Sequence, residues 1–195
     1  MSDSVHQQVL TVKRDVLADL PNRLVELGPG CGSNFVLYPA GTHVIAIEPN
    51  PLFDDDLHQT ASEHGVDIEI HRQLADATLD DASIDAVVST LVLCSVPDVP
   101  ALLAEIERIL APGGQLLYVE HVIAPRRGLR RAYQRTLRRP WRWLGDGCDT
   151  CARTATHLEQ SGLEFTPMTP TSIASGIDPT NLVIWGTAVR STTRA

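Results

Sequence analysis

Apolar residues at Val5, Val9, Val12, Val16 and Leu20 recur at helical spacing and predict an N-terminal helix. The short apolar run Leu24–Leu27 ends in glycines and predicts a buried strand. HVIAI at 43–47 predicts a second strand, and Asp67–Ile70 a third. Between them, the polar stretch Pro51–His64 reads as a helix stopped by Gly65. DAVVSTLVL at 85–93 is apolar along most of its length, as expected of a parallel strand buried on both faces. Pro100 and the positions Leu102, Leu103, Ile106, Ile109 and Leu110 predict a helix, stopped by Pro112-Gly113-Gly114. Gln115–His121 is a fifth strand, Thr150–Ser161 a last helix, and 163–168 and 182–189 two late strands.

Strand, loop and helix alternate through the first 120 residues, which argues a doubly wound α/β sheet. The 195 residues suffice for one sizeable core and are few for two domains. The 43% hydrophobic and 21% charged content is ordinary for a globular chain. No apolar run approaches the roughly 20 residues of a membrane span. The opening MSDSVHQQVLTVKRDVL lacks a charged-then-apolar leader pattern, so a cytoplasmic setting is expected. The net charge of −8 disfavours nucleic acid as a partner. Four cysteines do not make a disulfide framework in a chain this long. Fifteen of the sixteen basic residues are arginine, and eight of those fall between Arg126 and Arg142, where there is no acid.

LVELGPGCGSNFVLYPAG at 24–41 carries the chemistry of the first turn. Gly28, Gly30 and Gly32 give G-x-G-x-G, whereas the dinucleotide fingerprint needs a glycine where Ser33 stands. An acid in the preceding strand, Glu26, would repel a pyrophosphate and suits a ligand bearing an amine or sulfonium. Glu48 ends the second strand, where an acid accepts ribose hydroxyls. Asp76 in LADAT could accept from an adenine amino group, with the Ala77 N–H meeting a ring nitrogen.

Together, VELGPGCG, AIEPN, LADAT, DAVVSTLVL and the PGG turn run in order from Leu24 to His121. This set resembles the class I S-adenosylmethionine-dependent methyltransferases. NFVLYPAG, AIEPNP, STLVLCSV, YVEHV and GDGCD narrow the resemblance to the small-molecule (alkyl) thiol methyltransferase group, the methyltransferase-like seven type, over Arg14 to about Gly162. It implies a Rossmann-like, doubly wound, mostly parallel seven-stranded sheet, with an N-terminal helix and a helical cap between strands five and six. The implied cofactor is S-adenosylmethionine, with S-adenosylhomocysteine as product. Its implied contacts are Glu26, Gly28, Gly30, Gly32, Asn34, Glu48, Pro49, Asp76, Ala77 and Leu91. The whole chain, 1–195, then reads as one domain: helix 1–22, cofactor core 23–121, arginine-rich cap 122–150, and final helix and strands 151–195. Members of that group carry an N-terminal membrane anchor; this chain shows no such pattern, so attachment is not carried over. The implied acceptor is a small molecule, a thiol first, with phospholipid, amine or O-methylation and non-catalytic binding as alternatives.

Transfer from a sulfonium needs alignment of the nucleophile and exclusion of water. A thiol, with a pKa of about 8.5, makes a strong base optional. His121, at the end of strand five beside Glu120, is the first candidate base, and Asp146 in GDGCD the second. Each has a structural alternative, a capping histidine and a turn aspartate. Cys94, Tyr133, Trp141 and Cys148 are candidates for the acceptor pocket. The pair Cys148/Cys151 reads as pocket wall, redox pair or half a zinc site, and no metal is expected. Leu129, Tyr133 and Leu137 form a stripe at i, i+4, i+8 in the arginine segment. The expected arrangement is a lid, stripe inward and arginines solvated. The alternative is a weak peripheral membrane contact through 126–142. The oligomeric state is not legible.

Overall fold

The computed structural model describes residues 3–145, 147–166, 170–173 and 178–192, without the side chains of 3–8 and 76. The parallel strands are β1 (Arg23–Leu27), β2 (His43–Ile47), β3 (Asp67–His71), β4 (Ile84–Thr90) and β5 (Leu110–His121). Among the described residues, β6 (Leu163–Phe165), β7 (Thr171–Ser172) and β8 (Leu182–Arg190) complete the sheet. The order is β3-β2-β1-β4-β5-β8-β6, with β7 also paired to β8. β8 runs antiparallel to β5, β6 and β7. The expected seven strands are present; the eighth is the two-residue β7. Because β1 pairs with both β2 and β4, the winding reverses there, and ligands bind at such a switch point.

Strand alternation divides the core into two layers. Leu24, Val44, Ala46 and Val88 face α1 (Asp3–Val16) and α2 (Asp54–His64), meeting Leu17, Leu57 and Ala61. Val25, Leu27, Ile45, Ile47 and Val87 face the other way, toward α3 (Val99–Ile109) and α5 (Thr154–Gln160), meeting Leu103, Ile106 and Leu158. Both faces of the strands are thus buried, which is why their sequences read as apolar runs.

Several boundaries move for local reasons. α1 ends at Val16 rather than Leu20, because Leu20 precedes Pro21 and is disfavoured in helical conformation. The same effect explains the short element after the glycine loop. Tyr38 precedes Pro39 and is extended (φ −88, ψ 141), so Phe35–Leu37 makes only one 3-10 turn. α5 starts at Thr154, four residues later than expected, because Asp149 organises a turn by accepting from the Cys151 N–H at 2.8 Å.

Candidate functional site

At the carboxyl ends of β1–β5 lies a cleft of about 1110 Å³. Pockets for one small ligand span about 300–1,000 Å³, so a nucleoside-sized ligand and a small second molecule fit together. The glycine loop forms one wall. Gly28 has φ +53, and a Cβ there would come 2.8 Å from Val92 Cγ2, so only glycine permits this approach. Gly30 has φ +57, and a Cβ there would meet no described atom within 4 Å. Its backbone lies open to the cleft.

Glu48 faces that loop across the cleft. It is 4% exposed and accepts the Gly30 and Asn50 N–H groups, each at 2.9 Å. Pro49 and Asn50 continue the wall. Arg72, a residue the sequence reading passed over, fixes this corner. It donates to the Glu48 carbonyl at 3.0 Å and pairs with Asp54 at 2.5 Å. The Asp76 backbone lies in a 3-10 turn, Leu74–Ala77; Leu74 lines the cleft, while the Ala77 side chain packs into the core. The Asp76 side chain lies outside the described residues.

Glu26 stands in β1, one pleat before the glycine loop. It is fully buried, and its two oxygens are taken by Asn34 Nδ2 at 2.7 Å and Tyr38 Oη at 2.8 Å. It offers no surface to a ligand amine in this arrangement. Burial pushes its carboxyl up to about 7, against the Tyr38 and Asn34 hydrogen bonds and the Lys13 charge. Lys13, the sole lysine, is buried as well, and burial pushes its ammonium pKa down. Gly32 and Asn34 also turn away from the cleft. A Cβ on Gly32 would strike the Phe35 ring at 2.9 Å, and Asn34 is held by Glu26 and Thr90.

The opposite wall begins where β4 ends. Leu91 lines the cleft with φ +63, a strained conformation for leucine. The strain is held by Glu120, fully buried, which accepts from Ser89 Oγ at 2.6 Å, Val92 N at 3.2 Å and Leu93 N at 3.1 Å. This is why β4 stops at Thr90 rather than Leu93. The visible signal for that role was an acid at the end of the apolar run LLYV. His121 lines the cleft next to it, and its buried Nδ1 has no hydrogen-bond partner among the described residues. Burial pushes the imidazole down to about 4, against the Asp178 charge and the Thr180 backbone.

The cap is α4 (Leu129–Leu144), which contributes Trp141 to the cleft; Cys148 follows in the next turn. α4 is rotated from the expected orientation: Leu137 of the stripe is half-buried and Trp141 packs inward, but the first two stripe positions face out. Leu129 is 92% exposed and Tyr133 38%, so Tyr133 does not line the cleft. Gln134 points inward instead, bonding Ala124 N at 2.8 Å, Val122 O at 3.1 Å and Pro179 O at 3.0 Å. Three backbone groups that end strands and loops need a partner there, and an amide supplies both donor and acceptor. Cys94 is buried behind the cleft wall, with its Sγ 3.2 Å from Cys148 Sγ. The pairing is therefore Cys94 with Cys148, not Cys148 with Cys151. The sulfur–sulfur contact and burial push the Cys94 thiol pKa up, and the same contact lowers that of Cys148. Cys151 sits in a turn before α5 rather than at a helix start, which removes the helix-end basis for a C-x-x-C redox pair. Asp146 lies outside the described residues.

A strained turn after β4, a glycine loop after β1 and an acid after β2, all opening on one cleft, define the methyltransferase type of Rossmann-like sheet. The family model described as "Methyltransferase domain" matches residues 25–118. Thiol S-methyltransferase TMT1B of Rattus norvegicus is 38% identical over 143 residues, covering 71% of this chain and 58% of that protein. Thiol S-methyltransferase TMT1A of Homo sapiens is 33% identical over 169 residues, covering 80% of this chain and 69% of that protein. The chain thus spans 58% of the length of the rat relative. Geranyl diphosphate C-methyltransferase from Streptomyces coelicolor A3(2), solved with S-adenosyl-L-homocysteine, superposes with TM-score 0.68 at 18% identity, over 95% of this chain and 75% of that one. The chain belongs to the class I methyltransferases, in the group of the thiol S-methyltransferases.

Proposed function

We propose that this protein transfers a methyl group from S-adenosylmethionine to a small-molecule thiol. The observation that carries the proposal is the cradle formed by Gly28, Gly30 and Glu48 at the switch point, in a chain of this family. The residues fit the cofactor on two counts. Gly30 leaves open space where a side chain would stand. Glu48 uses two lone pairs on backbone N–H groups, and a carboxylate has about four. The others suit a ribose diol. In this proposal Gly28 and Gly30 hold the methionine portion, and Glu48 and Pro49 the ribose. The 74–77 turn, with Asp76, receives the adenine, and Leu91 packs against it.

When bound, S-adenosylmethionine would supply an electrophilic methyl on its sulfonium for the acceptor sulfur to attack, and the electron pair of the broken C–S bond would stay on S-adenosylhomocysteine. The chain aligns the acceptor and excludes water, through Trp141 and Cys148 on the cap side and Leu91 and Val92 on the sheet side. His121 is neutral at pH 7. Moving a proton from a thiol of pKa about 8.5 to an imidazole at about 4 is roughly 6 kcal/mol uphill. The acceptor therefore enters as thiolate, its proton already released to solvent, and neutral His121 serves as part of the cleft wall. That choice favours thiols over phenols, whose pKa is near 10.

A second reading, an acceptor taken from a membrane surface, is favoured by the outward apolar residues of α4: Leu129, Trp143 at 85% exposure and Leu144 at 70%. No helix of the described residues is long and apolar enough to cross a membrane. Incubation with methyl-labelled S-adenosylmethionine and a panel of thiols, amines and phenols tests the choice. Label in an amine or phenol and in no thiol refutes the thiol assignment.

A further inference from the structure

Beside the cleft, between α4 and the loop that leads into α3, lies a second cavity of about 510 Å³. The two share Ser95, Val96 and Pro97 as a common wall. Arg131, Arg135, Arg138 and Arg142 enter it from α4 at i, i+4, i+7 and i+11, which is one narrow face of a helix. Arg153 and His157 close the far side. This concentration of cation stands in a chain whose net charge is −8.

The local acids do not neutralise it. Asp149 is committed to Arg138, meeting Nε at 2.9 Å and NH2 at 2.6 Å. Asp98 caps α3, accepting from Ala101 N at 3.0 Å. Arg131 is held by the carbonyls of Ala124 at 3.3 Å and Pro125 at 3.1 Å. The guanidinium groups of Arg135, Arg142 and Arg153 have no hydrogen-bond or ion-pair partner among the described residues. Like charges at i, i+4 destabilise a helix, and α4 carries no acid to offset them. The amino end of α3 also borders the cavity, but it is already capped by the Asp98 carboxylate and Pro100 has no N–H, so the arginines alone supply the attraction. Convergent guanidinium groups lining a polar cavity joined to the cleft are the makings of an oxyanion subsite.

We propose that this arginine cavity binds an oxyanion, carboxylate or phosphate, borne by the methyl acceptor, so that the preferred substrates are acidic thiols. The proposal rests on the thiol reading for its kinetic part only. Arg131 and Arg138, pre-ordered by protein contacts, shape the cavity, while Arg135, Arg142 and Arg153 supply the free donors. The arginines of this face look into the cavity rather than along the outward apolar side of α4, which favours a small anion over a lipid surface.

The test compares the full-length wild type with R135A/R142A and, separately, with R153A, which leaves α4 unchanged. Inorganic phosphate binding is measured by calorimetry without cofactor. Turnover is measured with 6-mercaptohexanoate and with hexanethiol. The expected result is a weakening of phosphate binding of about tenfold or more in both variants. The ratio of kcat/KM for 6-mercaptohexanoate over hexanethiol should fall by about the same factor, carried mainly by KM. Phosphate affinity within twofold of wild type in both variants overturns the subsite. So does an unchanged acceptor ratio. Vesicles of phosphatidylglycerol that bind in an Arg135- and Arg142-dependent way, with phosphate binding and the ratio unaffected, reassign the surface to a membrane and also overturn it. If no thiol is methylated, the thiol reading fails while the phosphate arm still decides the subsite.

Discussion

Replacing Glu48 with alanine isolates the part of the cleft assigned to the cofactor ribose. The carboxylate is 4% exposed, and two of its lone pairs already accept the Gly30 and Asn50 N–H groups at 2.9 Å. The remaining two face the cleft and, in the proposed complex, accept both ribose hydroxyls. A hydrogen bond to a charged group nets about 1.5–3 kcal/mol, and the two share one charge, so the pair contributes about 3 kcal/mol. That corresponds to a Kd weakened about 150-fold. Glu48→Gln keeps one acceptor oxygen and loses the charge, and should fall between the two, near tenfold. The N–H groups freed in the alanine protein lie at the cleft and rehydrate, so stability should drop by only about 1 kcal/mol. Calorimetric titration with S-adenosylhomocysteine at 25 °C reads the affinity, and a thermal melt of each variant confirms that it is folded. A Glu48→Ala Kd within threefold of wild type, in a folded protein, refutes the ribose assignment.

Two further outcomes follow from buried polar groups. Burial raises the Glu120 carboxyl from 4.5 to about 7, so its stabilising contribution is complete below about pH 4.5 and is lost as pH rises through about 7. The loss amounts to roughly 3 kcal/mol for this fully buried acid. Glu120→Gln cannot titrate, so chemical denaturation should find its stability gaining on wild type between pH 5 and pH 7.5; a constant gap contradicts the shift. Gln134→Ala strips partners from Ala124 N, Val122 O and Pro179 O, and should destabilise by about 2–4 kcal/mol. Loss of under 1 kcal/mol in urea unfolding would mean that Gln134 does not pin α4 to the sheet.

The local code reached the glycine loop and the bounds of the first three parallel strands with little error. β2 is placed at the same residues as in the sequence reading, and β1 and β3 differ by one residue. The reason is physical: a parallel strand buried on both faces must be apolar throughout, and a turn with φ near +55 at Gly28 and Gly30 requires glycine. Pro39 likewise limits the element before it to a single 3-10 turn, a constraint local to Tyr38. These constraints act within a few residues of the amino acids that satisfy them.

Where a side chain serves two distant segments, local pattern misleads. Glu26 stands one pleat before the ligand loop, yet Tyr38 and Asn34 return to it and close it off. Glu120 looked like a neighbour of His121 and instead holds the 91–93 turn across the sheet. Cys148 and Cys151 stand near each other in sequence, but the sulfur that meets Cys148 is that of Cys94, 54 positions away. The orientation of α4 is the largest case. Hydrophobic periodicity placed Leu129 and Tyr133 inward, because burying apolar area usually decides which face of a helix packs. Here Gln134 is buried to satisfy three unpaired backbone groups, and leaving those groups bare in the interior would cost more than exposing two apolar side chains. Sequence thus determined the sheet and its nucleoside edge, which depend on local chemistry. Tertiary structure decided which buried polar groups are spent on the fold, which way the cap faces and where its arginines converge, since each depends on partners that the chain brings together only by folding.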